Sequence, residues 1–207
     1  MPTRVKICGI TRAQDGAAAA ALGANAIGLM FYEKSPRFVP LETAREVIAA
    51  LPPFVTSVGV FVNPDDAQVR TVLDALRLDF LQFHGDETPE FCRQFGMPYL
   101  KAVGVKKGLD LIQYASRYHE AKGLLLDTHS ESVYGGTGEA FDWRLIPRRL
   151  PLPLILSGGL SVANVAAAIR QVKPCAVDVS SGVESAKGIK DAAKIASFMQ
   201  AVHDANL

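Results

Sequence analysis

The chain has almost no surplus charge: 22 Lys and Arg against 21 Asp and Glu leave a net charge of +1 over 207 residues. No broad basic field favours a nucleic acid or an anionic membrane surface, so the expected partner is a small molecule. Cysteine is scarce, with Cys8, Cys92 and Cys175 far apart and odd in number. They form no CxxC pair and no Cys/His cluster, which argues against a metal site and a closed disulfide framework. A reducing, cytoplasmic home is the expectation. Long apolar runs are missing too, so neither a membrane span nor a secretory leader is expected. No linker, low-complexity stretch or composition break divides the sequence. With 49% apolar residues, 17 Gly and 12 Pro, residues 1–207 read as a single globular domain.

What is present is a repeated alternation. Short apolar, β-branched runs occur at Val5–Cys8, Ala26–Phe31, Val55–Phe61, Asp79–Phe83, Tyr99–Val103, Leu124–Asp127, Pro153–Leu156 and Ala176–Val179. Between them, helical periodicity marks Gln14–Leu22, Leu41–Leu51, Asp66–Leu76, Pro89–Phe95, Leu109–Tyr118, Val162–Val172 and Lys190–Val202, with a weaker stretch at Trp143–Arg148. Thr11 with Gln14 reads as a capping box, Thr88-Pro89 as a cap followed by proline in the first turn, and Ser161 as a further cap. Strands alternating with helices imply parallel pairing through right-handed crossovers. Eight such units predict an α/β fold of the (β/α)8 or TIM-barrel kind, parallel strands inside and helices outside. A doubly wound open sheet is the competing architecture, but it more usually carries an early glycine fingerprint and fewer strands.

In such a barrel, function sits at the carboxyl ends of the strands. Glycine-rich turns occur late, at Gly135-Gly136-Thr137-Gly138, Ser157-Gly158-Gly159 and Ser180-Ser181-Gly182. Each alone is a tight turn. The last two, at the ends of adjacent strands, predict a phosphate cradle of backbone N–H groups formed by Gly158, Gly159, Ser180, Ser181 and Gly182. Cys8 ends the first strand, and strand parity puts it inside the barrel with Lys6 while Val5 and Ile7 face the helices. It is either a packed core thiol or a base with thiolate character. Cys92 and Cys175 read as packing. Asp127 ends the sixth strand, where a buried carboxylate is an ion-pair partner or a general acid. Asp178 reads first as an interior partner for Lys6. Arg37 lies on the long loop after the second strand and offers a fork to an anionic group. His84 ends the fourth strand, either as a structural histidine or as a substrate contact.

Taken together, these residues resemble the phosphoribosylanthranilate isomerase family. The matching strings are Lys6-Ile7-Cys8-Gly9-Ile10-Thr11, Ser35-Pro36-Arg37, Gln82-Phe83-His84-Gly85, Leu125-Leu126-Asp127, Gly135-Gly136-Thr137-Gly138 with Phe141-Asp142-Trp143, Ser157-Gly158-Gly159-Leu160, and Asp178-Val179-Ser180-Ser181-Gly182-Val183-Glu184. They span nearly the whole chain. Phe83 stands where a leucine is usual and Ser157 where an alanine is usual. The resemblance implies a cofactor-free and metal-free Amadori rearrangement of a phosphorylated aminoaldose in tryptophan biosynthesis. It implies Asp127 as the acid that opens the sugar ring and Cys8 as the base at C2. It also implies Arg37, His84, Gly136 and Asp178 as substrate contacts, with Arg37 on the anthranilate carboxylate. Either a monomer or a homodimer is compatible with it.

Two other readings remain at this point. One is a different phosphosugar barrel, an epimerase or a synthase, which would favour interior metal ligands or a lysine acid at a strand end. The other is a non-catalytic phosphosugar-binding protein, which could dispense with Cys8 and Asp127.

Overall fold

In the computed structural model, which describes residues 2–128 and 142–207, eight parallel strands close into a barrel in chain order. They are β1 (Arg4–Cys8), β2 (Ala26–Met30), β3 (Thr56–Phe61), β4 (Phe80–Phe83), β5 (Tyr99–Val105), β6 (Gly123–Thr128), β7 (Leu154–Leu156) and β8 (Ala176–Val179). The helices are α1 (Ala13–Ala21), α2 (Leu41–Ala49), α3 (Asp66–Ala75), α4 (Pro89–Arg93), α5 (Leu111–Arg117), α6 (Val165–Val172) and α7 (Ala192–Ala205). Between β6 and β7 the described chain has only a 3₁₀ turn, Trp143–Leu145. After β8 come a second 3₁₀ turn, Ser181–Val183, and a small antiparallel hairpin, β9 (Glu184–Ala186) with β10 (Ile189–Lys190).

The period of two in the strands sorts side chains to two sides. Ile7, Ile27, Leu29, Leu81, Leu124, Leu126 and Val177 pack in one large cluster with the helices. Inside, Cys8 packs with Val58 and Val60, while Leu100, Ala102, Leu125 and Ile155 form a separate cluster. The interior is therefore a filled core. Phe83 is part of an aromatic set. Its ring centroid lies 5.8 Å from Phe91, 6.0 Å from Phe95 and 6.0 Å from Tyr99, which ties the short α4 segment to β4 and β5.

Several expected helix starts are displaced. α1 begins at Ala13 with Arg12 in the cap position, and Thr11 instead donates its hydroxyl to the Gly188 carbonyl at 2.5 Å. Thr11 is thus drawn toward the hairpin, and the helix starts one residue beyond the cap position that the pattern predicts. α6 is capped at Asn164 rather than Ser161, whose N–H donates to Asn164 Oδ1 at 2.9 Å. Thr88 does cap α4, accepting from Phe91 N–H, with Pro89 following. Lys190 belongs to β10 and not to the last helix, which Asp191 caps. Cys92 is buried as expected, but Cys175 is exposed just before β8 and does not serve packing.

One buried cation fixes the turn after β4. Lys101 is wholly buried, and its Nζ donates to the carbonyls of Gly85 at 2.6 Å, Ala102 at 3.0 Å and Phe83 at 3.2 Å, and to Glu87 Oε2 at 3.1 Å. Glu87 in turn accepts from the N–H groups of Asn63 and Gly85. Breaking a buried pair from one side leaves an uncompensated charge. Lys101→Met should therefore lower unfolding free energy by about 3–5 kcal/mol in denaturant titrations, and adding Glu87→Leu should recover part of that loss.

Candidate active site at the barrel mouth

The site begins one layer below the mouth. β1 pairs with β8 so that Lys6 sits opposite Asp178, and Lys6 Nζ donates to Asp178 Oδ1 at 2.8 Å with both side chains buried. Asp178 thus takes the interior role expected for it, and Ser157 Oγ lies 3.4 Å from its other oxygen. Cys8 lies directly above on the same inner face. Space for both side chains comes from β2: a Cβ on Gly28 would fall 2.7 Å from Cys8 Sγ and 3.1 Å from Lys6 Nζ. Burial pushes the Cys8 thiol up from its ordinary value. The Lys6 ammonium pulls it down and the Asp178 carboxylate pushes it up again. Desolvation is the largest of these influences, so burial opposes ionisation of the thiol while Lys6 favours it.

Asp127 is buried at the end of β6, and both of its oxygens are held. Oδ1 accepts from the N–H of Thr128 at 2.7 Å, and Oδ2 lies 3.0 Å from Nε2 of His84. His84 is thus brought to Asp127 by the end of β4, and its Nδ1 lies 2.9 Å from the amide nitrogen of Gln82. The turn after β7 closes on the same carboxylate. Gly158 has φ +81°, and a Cβ there would fall 2.6 Å from Thr128 N and 3.1 Å from Asp127 Oδ1. Gly159 follows with φ +61°, so glycine is demanded twice over by conformation and space. On the neighbouring strand, Ser180 leads into the 3₁₀ turn at Ser181–Val183. Gly182 packs its Cα against the Leu160 carbonyl, closely enough that no side chain fits. The two glycine turns are joined at this contact.

Arg37 departs from the free loop arginine expected from the sequence. It is buried, and its Nε and Nη2 donate to the two oxygens of Glu184 at 2.8 and 2.9 Å. Glu184 also accepts from Lys190 Nζ at 2.8 Å, and Lys190 donates to the Ser180 carbonyl at 3.1 Å. Burial pushes the Glu184 carboxyl up, yet the hydrogen bonds from Arg37 and Lys190 outweigh it and hold the group below its ordinary value. The Nε–Nη2 edge of the fork is therefore taken. Glu184 and Lys190 received no role from sequence reasoning. The signal available was the short alternation around Gly188, which makes the β9–β10 hairpin. Gly136 lies outside the described residues. Among the described residues, no group of three or more His, Cys, Asp or Glu side chains is placed to hold a metal.

Polar chemistry gathered at the carboxyl ends of parallel strands marks a (β/α)8 barrel of the metabolic, small-molecule kind. Its nearer kinship follows from comparison with known proteins. The family profile for N-(5'phosphoribosyl)anthranilate (PRA) isomerase matches residues 5–201. An N-(5'-phosphoribosyl)anthranilate isomerase from Nitrosospira multiformis is 61% identical over 202 residues, covering 98% of this chain and 97% of that protein. One from Pseudomonas syringae pv. tomato is 60% identical over 200 residues, with 97% of each chain covered. The crystal structure of the Thermotoga maritima phosphoribosyl anthranilate isomerase superposes with a TM-score of 0.89 at 42% identity, covering 98% of this chain and 99% of that one. The chain belongs to the phosphoribosylanthranilate isomerase family.

The Glu184 network gives a measurable pH signature. Its lowered folded-state value means stability that is present above the ordinary carboxylate range and lost as pH falls through the lowered value. Glu184→Gln should flatten the acid side of the stability–pH curve while leaving the neutral-to-alkaline side parallel to the parent. An unchanged acid slope, measured by urea unfolding between about pH 3 and 6, speaks against the coupling.

Proposed function

We propose that this chain isomerises N-(5'-phosphoribosyl)anthranilate to 1-(2-carboxyphenylamino)-1-deoxyribulose 5-phosphate, the Amadori step of tryptophan biosynthesis, within one catalytic domain. The observation that carries the reading is the circular order of strand ends. Asp127 closes β6, the two joined glycine turns follow β7 and β8, and Cys8 closes β1. A sugar phosphate anchored on the turns has its reactive carbons between a carboxyl group and a thiol. A crystal structure of a family member in complex with reduced 1-(o-carboxyphenylamino)-1-deoxyribulose 5-phosphate, with 42% identity and a TM-score of 0.86, supports the same ligand class.

Asp127 protonates the furanose ring oxygen, and the ring opens to an iminium. Cys8 then removes the C2 proton to give an enolamine, and proton return at C1 gives the ketone. The iminium nitrogen withdraws electrons from C2, so the chemistry calls for neither metal nor cofactor. Backbone N–H groups of Gly158, Gly159, Ser180, Ser181 and Gly182 bind the phosphate. Arg37 meets the anthranilate carboxylate through its remaining Nη edge, held in place by Glu184. His84 and Asp178 act on the substrate through Asp127 and Lys6, and Gly136 contributes from the loop after β6. No helix is long and apolar enough to cross a membrane, and the expected setting is the cytoplasm. The chain works as a monomer or a homodimer, and sedimentation decides which; a structural relative from Thermotoga maritima is described as dimeric.

The reading is tested by following loss of phosphoribosylanthranilate fluorescence and identifying the product by mass and NMR. An unchanged mass with a new ketone signal is expected, and binding without turnover would refute the activity. Two substitutions probe binding. Gly159→Val should raise KM strongly by filling the cradle. Arg37→Ala should weaken substrate by roughly 1.5–3 kcal/mol while sparing inorganic phosphate. If Arg37→Ala weakens both ligands equally, the arginine belongs to the phosphate instead.

The proton-transfer groups are separable. Asp127→Asn should abolish ring opening and Cys8→Ser should abolish C2 proton abstraction, each costing about 10²–10⁴-fold in kcat with product binding retained. Because burial raises the Cys8 thiol, kcat/KM of the parent should climb with pH along a limb displaced above the usual thiol range. The residual activity of Cys8→Ser should lack that limb. Near-parental turnover by Cys8→Ser would return Cys8 to a packing role.

A further inference from the structure

Gln82 is fully buried on the inner side of β4, and its amide oxygen meets no hydrogen-bond partner. An unpaired buried acceptor is a standing cost that a leucine or methionine at this position would not carry. The amide nitrogen is in use, because it points at Nδ1 of His84, whose Nε2 points at Asp127 Oδ2. With the N–H of Gln82 on Nδ1, that ring nitrogen accepts, and the imidazole proton lies on Nε2 facing Asp127 Oδ2. In the proposed cycle this arrangement corresponds to the unit after the acid has delivered its proton. Adding one proton reverses the chain. Nδ1–H then donates, the acceptor it requires is the unpartnered oxygen of Gln82, and one proton lies between Nε2 and Oδ2.

We propose that Gln82 and His84 are positioning residues for the acid: the proton delivered by Asp127 is shared with His84 Nε2, and the Gln82 amide turns over according to whether that proton is present. The inference rests on Asp127 being the acid. Protons balance over the cycle. The pair loses one proton to the ring oxygen and regains one when the C2 hydroxyl of the enolamine becomes the ketone, while the proton taken by Cys8 returns at C1. No outside acid is required. The charged groups on the flanking elements have partners of their own. Lys101 on β5 is paired with Glu87 beyond β4, and Lys6 on β1 with Asp178 on β8. The proton count of His84 and Asp127 therefore belongs to the two of them as a unit.

The test is a long-range ¹H–¹⁵N spectrum of the His84 ring together with steady-state kinetics. In the parent, the Nε2–H tautomer should be present at alkaline pH, and Nδ1 should gain a proton as the unit is loaded. Gln82→Met should give a mixed tautomer and lower kcat by up to about 100-fold with KM nearly unchanged. Gln82→Glu, whose carboxylate accepts from Nδ1–H, should hold the loaded form to higher pH. If Gln82→Met keeps both the tautomer and kcat of the parent, or raises only KM, the proposal fails. Should that variant not fold, an Nδ1 that never gains a proton in the parent overturns it alone. An active Asp127→Asn would instead overturn the assignment of the acid, which separates the two failures.

Discussion

The ion pair between Lys6 and Asp178 is the constraint on which the rest of the mouth depends. It joins the first strand to the last, so it lies across the seam where the barrel closes. Two buried charges are expensive, and a hydrophobic pair of equal size would close the same seam with less desolvation. What the pair gives in return is a balanced field beneath Cys8. Burial pushes the thiol up from its ordinary value, the ammonium draws it toward ionisation and the carboxylate opposes that pull. In the proposed sequence of steps Cys8 takes the C2 proton as a thiolate and returns it at C1, so the Lys6–Asp178 pair beneath it bears on how readily that thiolate forms.

The second network, Arg37 with Glu184 and Lys190, ties three distant parts of the chain together. Arg37 comes from the loop after β2, Glu184 and Lys190 from the hairpin after β8, and Lys190 reaches back to Ser180 at the entrance of the glycine turn after β8. Thr11 bonds to the same hairpin through Gly188. An arginine fixed by a bidentate carboxylate has little rotamer freedom left to lose on meeting a planar ligand group. The hairpin is thus a brace that holds Arg37 and the turn after β8 in one frame.

Most of the fold was legible because parallel strands buried on both faces are near-continuous apolar runs, and eight of these occur in the sequence. Strand parity likewise places Lys6, Cys8 and Asp178 inside, and Asp127 is marked by its place at the buried end of the sixth strand. The misses have physical reasons. The caps expected at Thr11 and Ser161 lie outside the helices because tertiary and local contacts set later starts. Thr11 turns to the hairpin carbonyl of Gly188, and the Ser161 N–H folds onto the Asn164 side chain at the cap position of α6. The β9–β10 hairpin is too short for periodicity to reveal, so Lys190 was read into a helix and Glu184 was passed over. Arg37 looked free because nothing local announces a partner 147 residues away. The union of His84 with Asp127 is of the same kind, since it exists only once β4 and β6 stand in one ring.

That ring also explains why acid and anchor are neighbours. β6 and β7 pair directly, and Ser157 N–H donates to the Leu126 carbonyl, which carries the chain past Asp127 into the glycine turn. Gly158 then lies against Thr128 and Asp127 so closely that a side chain would strike both. The carboxyl group and the first glycine turn are in effect one surface, which on the proposed reading holds the ring oxygen of a sugar phosphate at fixed reach from its phosphate. The second turn, at Ser181 and Gly182, is pinned to Leu160 and leads round to β1 and Cys8. On the proposed reading, backbone dipoles of these two turns anchor the phosphate, and Lys190, a cation that reaches this end of the barrel, is already engaged by the Glu184 carboxylate and the Ser180 carbonyl.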